Sequence, residues 1–242
     1  MKKILAFIRL LGVAVIIFGY LIPIILGVLM LKKDLTWTMK RRQGITQALV
    51  WWLNIRIQAS GTPQDGNFLF ISNHRSYLDP IVTACFVSFL PVGKAEVSQW
   101  PLIGFGAKVT GVVFVKREDK NSRLDTRNAV REALKKGHPV LIYPEGTTTD
   151  EPKMRPFRGA TFQIAAEEGI AVVPIAIEYA EKTDAWIGAD TFIPHFLRCF
   201  GKWRTDVFIH FGTPISESDG EVLKTKTQTV IDAQLIDFQK YR

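Results

Sequence analysis

Apolar residues dominate the start of the chain, where no charged side chain occurs from Leu10 to Leu31. These 22 residues match the ~20 that a helix needs to cross the hydrocarbon core of a bilayer. Pro23 and the glycines at positions 12, 19 and 27 also permit a kinked, re-entrant arrangement. Lys32 and Lys33 follow without the small-residue site of a cleaved signal peptide. The pattern therefore predicts a membrane segment that the protein retains.

Basic residues flank this segment unequally. Those before it are Lys2, Lys3 and Arg9, and those after it are Lys32, Lys33, Lys40, Arg41 and Arg42. Because basic residues concentrate on the cytoplasmic side of membrane segments, we expect the main domain on that side of a bacterial-type inner membrane.

Residues 44–57 repeat apolar side chains at the spacing of an amphipathic helix and include the adjacent Trp51 and Trp52. Tryptophan is enriched at membrane interfaces, so this helix either lies on the membrane or packs on the core of the protein. We assign residues 1–60 to N-terminal membrane-embedding helices and residues 61–242 to one further domain.

Beyond residue 61, short apolar runs alternate with longer runs of helical spacing. The predicted strands cover residues 67–72, 91–95, 112–115, 140–143, 172–178 and 207–211, and the predicted helices cover residues 81–90, 122–136 and 159–168. The segment 181–203 has no assignment. The alternation indicates an α/β domain with a single mixed sheet flanked by helices. The two cysteines, Cys85 and Cys199, lie far apart in sequence and predict neither a zinc site nor a disulfide framework.

The formal net charge of +8 favours an anionic partner: nucleic acid, an anionic bilayer or a phosphorylated small molecule. The membrane segment favours the bilayer. We expect no nucleic-acid partner, because the Lys and Arg residues are dispersed and no nucleic-acid motif occurs.

The sequence NHRSYLDP at residues 73–80 places His74 and Asp79 directly after a predicted strand. A neutral imidazole, with an ordinary pKa of about 6.5, can remove a proton from a hydroxyl near neutral pH. A buried carboxylate can orient such a histidine. Pro80 opens a helix-like run, so a turn between strand and helix brings the two side chains together. The alternative is a local turn in which the pair has no chemical role.

Two further blocks carry candidate binding groups. In the first, which runs from Lys94 to Arg117, two cations end a strand, and Arg117 has the planar fork that grips a phosphate. An ordinary solvated strand end is the alternative. In the second, YPEGTTT at residues 143–149, Gly146, Thr147 and Thr148 can cradle an anion, and an ordinary turn is the alternative. Glu145 would bind a substrate hydroxyl or hold a cation, and the charge would come from Arg155 and Arg158.

A fourth block, VVPIAI at residues 172–177, reads as a buried strand whose Pro174 marks a bulge or an edge. NHRSYLDP, the block from Lys94 to Arg117, YPEGTTT and VVPIAI occur in the order of the four blocks of the 1-acylglycerol-3-phosphate acyltransferase family. The chain resembles this family, within the glycerolipid acyltransferases, over residues 67–178.

The resemblance implies transfer of a fatty acyl group from acyl-CoA or acyl-carrier protein to the 2-hydroxyl of lysophosphatidate, with no cofactor and no covalent enzyme intermediate. His74 would be the base, Asp79 would orient it, and Lys94 would stabilise the oxyanion. The expected substrate-binding residues are Asn73, Lys94, Arg117, Glu145, Gly146, Thr147, Thr148 and Arg158. The family commonly has an arginine where Thr148 stands, so another lysophospholipid or a lyso-aminolipid is an alternative acceptor.

Two other classes compete with this interpretation. A membrane-bound metal hydrolase would use His74, Asp79 and Glu145, but His138, His195 and His210 lack metal-ligand spacing, so no metal is expected. A non-catalytic lipid-binding protein would use the basic surface alone and would not need His74.

Overall fold

A computed structural model describes residues 2–99, 110–115, 120–188 and 190–241. Seven strands form one mixed sheet. They are β1 (Ile55–Gly61), β2 (Leu69–Ser72), β3 (Leu90–Lys94), β4 (Val113–Val115), β5 (Val140–Ile142), β6 (Val172–Tyr179) and β7 (Thr205–Phe211). Their order is β1-β7-β6-β2-β5-β3-β4, and every neighbouring pair is parallel except β6 and β7. The predicted α/β class and mixed sheet are therefore confirmed.

The described helices are α1 (Lys2–Leu31), α2 (Leu35–Trp52), α3 (Asp79–Thr83), α4 (Lys120–Lys135), α5 (Ala160–Glu167), α6 (Phe192–Phe200) and α7 (Gly220–Phe238). Apolar residues of α4, α5 and α7 fill the core on one face of the sheet. On the other face, α3 and α6 bury a second core, against which the first turns of α1 pack. Because a sheet covered on both faces needs apolar side chains in both directions, all eight residues of β6 are buried.

The N-terminal helices form an antiparallel hairpin. The rings of Trp37 and Trp52 lie against Gly27 and Gly12, where a Cβ atom would meet them at 2.5 and 2.0 Å. The helix α1 continues through Pro23 and is long and apolar enough, by length and composition, to cross a membrane. Its exposed large apolar side chains are Ile4, Phe7, Ile8, Leu11, Val15, Phe18, Tyr20, Ile22, Leu26, Leu29, Met30 and Leu31. This apolar surface indicates association with a membrane.

The second helix begins and ends earlier than the predicted 44–57. Asp34 caps it by accepting a hydrogen bond from the backbone N–H of Trp37 at 2.9 Å. The two positions predicted for this helix, on the membrane or against the rest of the protein, are each represented by one of its tryptophans. Trp52 packs inward and donates from Nε1 to the carbonyl of Arg9 at 2.9 Å, whereas Trp51 is exposed.

Several elements differ from the sequence-based predictions. The strand β1 was not predicted because five of its seven residues are exposed, and it spans the expected boundary between residues 60 and 61. The helix predicted for residues 81–90 is wrong. The helix α3 has five residues, and the apolar run after it is buried because α2 covers it, with the Gln43 and Gln47 amides donating to the Cys85 carbonyl. The segment left unassigned at 181–203 contains α6, and α7 was not predicted.

Pro174 lies in the interior of the sheet and not at an edge, since β6 has β2 on one side and β7 on the other. The side of Pro174 that lacks an N–H faces the chain just beyond β7, where its carbonyl accepts from Gly212 at 2.9 Å. The ladder with β7 begins only at Ile175, so the missing donor leaves no strand hydrogen bond broken.

Candidate active site

The carboxyl ends of β2, β5 and β6 meet at one edge of the sheet, and His74 and Asp79 lie there in the turn between β2 and α3. The Nδ1 atom of His74 is 2.7 Å from Oδ2 of Asp79, which also accepts from the backbone N–H groups of Arg75 at 2.6 Å and Ser76 at 2.9 Å. A carboxylate only accepts, so Nδ1 carries the proton and Nε2 keeps its lone pair. Asp79 is fully buried and the His74 side chain is 14% exposed.

Two tyrosines complete the surroundings of this pair. The hydroxyl of Tyr179, the last residue of β6, donates to Oδ1 of Asp79 at 2.7 Å. Burial, and then the nearby charge of Asp79, raise the pKa of Tyr179 well above its usual value, so it remains a donor. The ring of Tyr143, which follows β5, stacks on the imidazole of His74 at a centroid distance of 4.1 Å. Neither role was predicted, because the two tyrosines adjoin His74 only through strand order.

A buried ion pair supports the same turn. The Arg75 guanidinium is fully buried, with Nη2 3.0 Å from Oε2 of Glu178. Its Nη1 donates to the carbonyls of Thr149 at 2.9 Å and Glu151 at 2.7 Å. Arg75 therefore ties the turn after β2 to β6 and to the loop after β5. The only sign of this role in the sequence was an arginine inside the NHRSYLDP motif, because the partners of Arg75 are far from it in the chain.

Glu145 contacts the backbone with both of its carboxylate oxygens. Its Oε1 accepts from the backbone N–H of His74 at 2.7 Å and its Oε2 accepts from that of Arg155 at 2.9 Å. The side chain is buried, and this burial raises the pKa of the Glu145 carboxyl, against the lowering effect of the two backbone hydrogen bonds. Glu145 thus fixes the backbone at His74, and its expected contact with a substrate hydroxyl or a cation stays a prediction.

Asn73, which was also predicted to bind substrate, contacts the backbone of β6. It is fully buried, with its Nδ2 donating to the carbonyl of Ile177 and its Oδ1 accepting from the N–H of the same residue, both at 2.8 Å. The amide replaces a strand hydrogen-bond partner where β2 ends, and so it joins β2 to β6.

The loop after β5, which carries the predicted anion cradle, brings Gly146 and Arg158 together. Gly146 has φ of +75°, and a Cβ atom there would lie 2.8 Å from Cζ of Arg158. Only glycine therefore lets the exposed Arg158 side chain cross this loop. Thr147 is half-buried beside it. Thr148, which stands where the family has an arginine, donates its hydroxyl proton to the carbonyl of Trp186.

The second predicted block lies mostly outside the described residues. The backbone of Lys94 ends β3 beside β4, at the same edge of the sheet as His74. Arg117 is outside the described residues, as are Pro101 and Gly104. The phosphate contact expected of Arg117 therefore stays a prediction.

The other histidines adopt structural positions. His195 is fully buried, with Nε2 3.0 Å from the carbonyl of Ala185, and His210 pairs through Nδ1 with Ser60 at 2.9 Å on β1. Over the described ranges, no group of three or more His, Cys, Asp or Glu residues is arranged to hold a metal ion.

Comparison with known proteins identifies the family of this chain. The acyltransferase family model matches residues 54–178. A lyso-ornithine lipid O-acyltransferase of Pseudomonas aeruginosa is 34% identical over 72% of this chain and 70% of that protein. A chloroplastic 1-acyl-sn-glycerol-3-phosphate acyltransferase of Arabidopsis thaliana is 37% identical over 72% of this chain and 46% of that protein.

The fold has a counterpart of known structure. The crystal structure of the 1-acyl-sn-glycerophosphate acyltransferase of Thermotoga maritima superposes with a TM-score of 0.74, covers 99% of this chain and 98% of its own, and is 23% identical. At that identity the likeness shows the fold alone. From the family match and the relatives, the chain belongs to the acyltransferase family and is an acyltransferase of the lysophospholipid or lyso-aminolipid type.

Proposed function

We propose that this protein transfers a fatty acyl group from an acyl thioester, acyl-CoA or acyl-carrier protein, to a free hydroxyl of a lysolipid, with His74 as general base. The observation that carries the proposal is the 2.7 Å contact between His74 Nδ1 and a fully buried Asp79, which leaves Nε2 for the acceptor. Over the described part of the chain, Nε2 has no protein partner.

The proposed reaction is a direct displacement. Nε2 of His74 takes the proton of the acceptor hydroxyl while its oxygen attacks the thioester carbonyl carbon and forms the new C–O bond. The tetrahedral intermediate collapses, the C–S bond breaks, and the departing thiolate receives the proton from the imidazolium. Asp79 stays ionised throughout and stabilises the imidazolium that forms. Lys94 remains the proposed group for the oxyanion, a role that is worth about 3–4 kcal/mol for a single donor elsewhere.

Two acceptors are supported by different observations. Lysophosphatidate is supported by the ordered blocks and by Arg158, whose guanidinium crosses the loop at Gly146. A lyso-aminolipid is supported by Thr148, whose hydroxyl is used by Trp186 and offers no charge to a phosphate. An amino acid head group has one carboxylate, for which a single guanidinium suffices. We take lysophosphatidate as the first candidate and the lyso-aminolipid as the second.

The rate of acyl transfer by the His74→Ala variant tests whether His74 is the general base. With radiolabelled acyl-CoA or acyl-carrier protein and each lysolipid in parallel, we expect a decrease of about 10²–10⁴-fold. His210→Ala is the matched control, because that histidine lies on β7 against Ser60 and should leave activity unchanged. Activity of His74→Ala equal to that of the wild type would exclude the mechanism. Lipid mass spectrometry of cells that express the protein would identify the acceptor and the chain length.

The position in the membrane is also a proposal. The helix α2 runs antiparallel to α1 and has the exposed cations Lys40 and Arg41 near its middle. A charge at the bilayer centre costs about 2.5–3.5 kcal/mol or more, so the hairpin is better placed in one leaflet, with the catalytic domain on the cytoplasmic side. A thiol probe applied from outside should not label Lys33→Cys in intact cells. Labelling from outside would show a complete crossing.

A further inference from the structure

Two tryptophan side chains project from the protein almost fully exposed. Trp51, near the end of α2, is 78% exposed, and Trp203, in the loop between α6 and β7, is 79% exposed. An exposed tryptophan ring leaves a large apolar area in contact with water. The membrane–water interface is the environment in which tryptophan is enriched, because the ring is amphipathic.

The turn between α2 and β1 joins these two tryptophans. The backbone N–H of Asn54 donates to the carbonyl of Trp51 at 3.1 Å, and its side-chain Nδ2 donates to the carbonyl of Trp203 at 2.7 Å. Asn54 has φ of +54°, a left-handed conformation that asparagine tolerates better than most residues. The loop that carries Trp203 is therefore held beside the end of α2.

The apolar helix α1 fixes the same loop. Arg9 is buried, and its guanidinium donates to three carbonyls of the segment that carries Trp203, those of Phe200 at 3.0 Å, Lys202 at 2.6 Å and Trp203 at 2.8 Å. At Gly201, a Cβ atom would lie 3.1 Å from the carbonyl oxygen of Lys2, so the first turn of α1 touches the loop. A polar side chain at this point of an otherwise apolar helix thus serves to attach the catalytic domain.

The exposed apolar surface of α1 begins in these same turns, with Ile4, Phe7, Ile8 and Leu11. Arg9, in the same turns, donates to the loop of Trp203, and its carbonyl accepts from Trp52 at the end of α2. We propose that the loop from Phe200 to Arg204 is a second membrane contact, made by the catalytic domain, in which Trp203 and Trp51 enter the interface of the bilayer that α1 occupies.

This contact orients the active site. Because β1 and β7 are antiparallel to β6, their first residues lie at the sheet edge where β2 and β6 end and where His74 is found. Trp203 precedes β7 and Trp51 precedes β1 at that edge. A membrane contact there holds the active-site edge close to the lipid surface, so a lysolipid can reach His74 without leaving the bilayer. The proposal rests on membrane association and holds for either acceptor.

Fluorescence of the full-length protein in vesicles of brominated phosphatidylglycerol and phosphatidylethanolamine tests the contact. The difference between wild type and Trp203→Phe isolates the emission of Trp203. We expect this emission to be quenched at least two-fold by the brominated lipid and to be shielded from aqueous iodide. Emission that iodide quenches and brominated lipid does not would overturn the proposal.

A matched control comes from the opposite face of the sheet. Ile236 on α7 is 63% exposed, so I236W in the Trp203→Phe background should give emission that iodide quenches and brominated lipid does not. Asn54→Ala, which removes the side-chain bond to the loop, should lower the lipid quenching of Trp203 without unfolding the chain. Lipid quenching of equal size at both positions would indicate non-specific adsorption and would also overturn the proposal.

Kinetics separate this inference from the proposed chemistry. Trp203→Ala should raise the apparent KM for lysolipid presented in vesicles at least five-fold, with kcat in detergent micelles within two-fold of the wild type. A loss of kcat in both settings would assign Trp203 to the structure of the site and refute the membrane contact. If the wild type transferred no acyl group to either lysolipid, the quenching result would still decide the contact.

Discussion

Glu178→Gln removes the partner of a buried cation and should destabilise the whole domain. The substitution keeps the size of the side chain and deletes its charge, while the Arg75 guanidinium stays fully buried with Nη2 3.0 Å from the former carboxylate. The two carbonyls that Nη1 contacts, those of Thr149 and Glu151, supply dipoles and not a full negative charge. The cation then loses the carboxylate with which it pairs, and the charge of Glu145, which also acts on Arg75, lies beyond ion-pair distance.

The magnitude follows from the geometry. At 3.0 Å and an effective dielectric constant of ~20, the attraction between the two charges is about 5 kcal/mol. Removing one member of a buried pair costs ~3–5 kcal/mol, because the remaining charge cannot return to water. The free energy of unfolding of a domain is typically about 5–15 kcal/mol, so Glu178→Gln should lose about a fifth or more of it.

Urea unfolding in detergent micelles, followed by circular dichroism, measures this loss. We expect the midpoint for Glu178→Gln to fall by about 1 M or more. Glu167→Gln is the control, since its pair with Arg131 is exposed, with side chains 44% and 36% accessible, and should cost under ~1 kcal/mol. Arg75→Gln and the double variant complete a cycle, in which the double variant should lose less than the sum of the single losses.

A loss for Glu178→Gln no larger than that for Glu167→Gln would refute this reasoning. It would mean that water or the surrounding carbonyls compensate the Arg75 charge, and that the pair does not hold the turn after β2. A large loss in Glu178→Gln with full additivity in the cycle would place the effect in packing around Glu178 and not in the ion pair.

Three further predictions concern the site. Tyr179→Phe removes the hydroxyl that donates to Oδ1 of Asp79, so kcat should fall by about ten-fold, as expected for a lost hydrogen bond of ~1–3 kcal/mol to a buried charge. KM should be nearly unchanged, and the pH profile of kcat should be displaced. An unaltered pH profile would contradict this role of Tyr179. Burial raises the pKa of Glu145 above its ordinary 4.5, so the wild type should lose stability as pH rises from there through the raised pKa, and Glu145→Gln should flatten this dependence in urea unfolding at several pH values. Thr148→Arg should shift the ratio of kcat/KM at least ten-fold toward lysophosphatidate over a lyso-aminolipid, whereas Thr148→Val, which only removes the bond to Trp186, should not.

The contact between His74 and Asp79 was largely predictable, because the evidence for it is local in the sequence. His74 and Asp79 lie five positions apart after an apolar run, and the turn that joins them needs only the strand and Pro80. The surrounding groups were not predictable in the same way. Tyr179 and Glu178 reach this turn because β6 neighbours β2, and no local pattern encodes that strand order. Asn73 and Glu145 were predicted as substrate-binding residues, and their backbone contacts were not predicted, because Asn73 binds Ile177 and Glu145 binds His74, each far away in the chain.

The sequence by itself determined the elements whose pattern is continuous along the chain: the apolar helix, most strands of the sheet, the amphipathic helix α4 and the His74–Asp79 motif. The tertiary structure decided what depends on contacts between distant residues. It placed Arg9 on the loop of Trp203, the hydroxyl of Tyr179 on Asp79 and that of Thr148 on Trp186. The periodicity of a sequence shows which face of one element is apolar. The partner of a buried polar group is set only when the elements pack, because only then must each donor and acceptor that leaves water be satisfied.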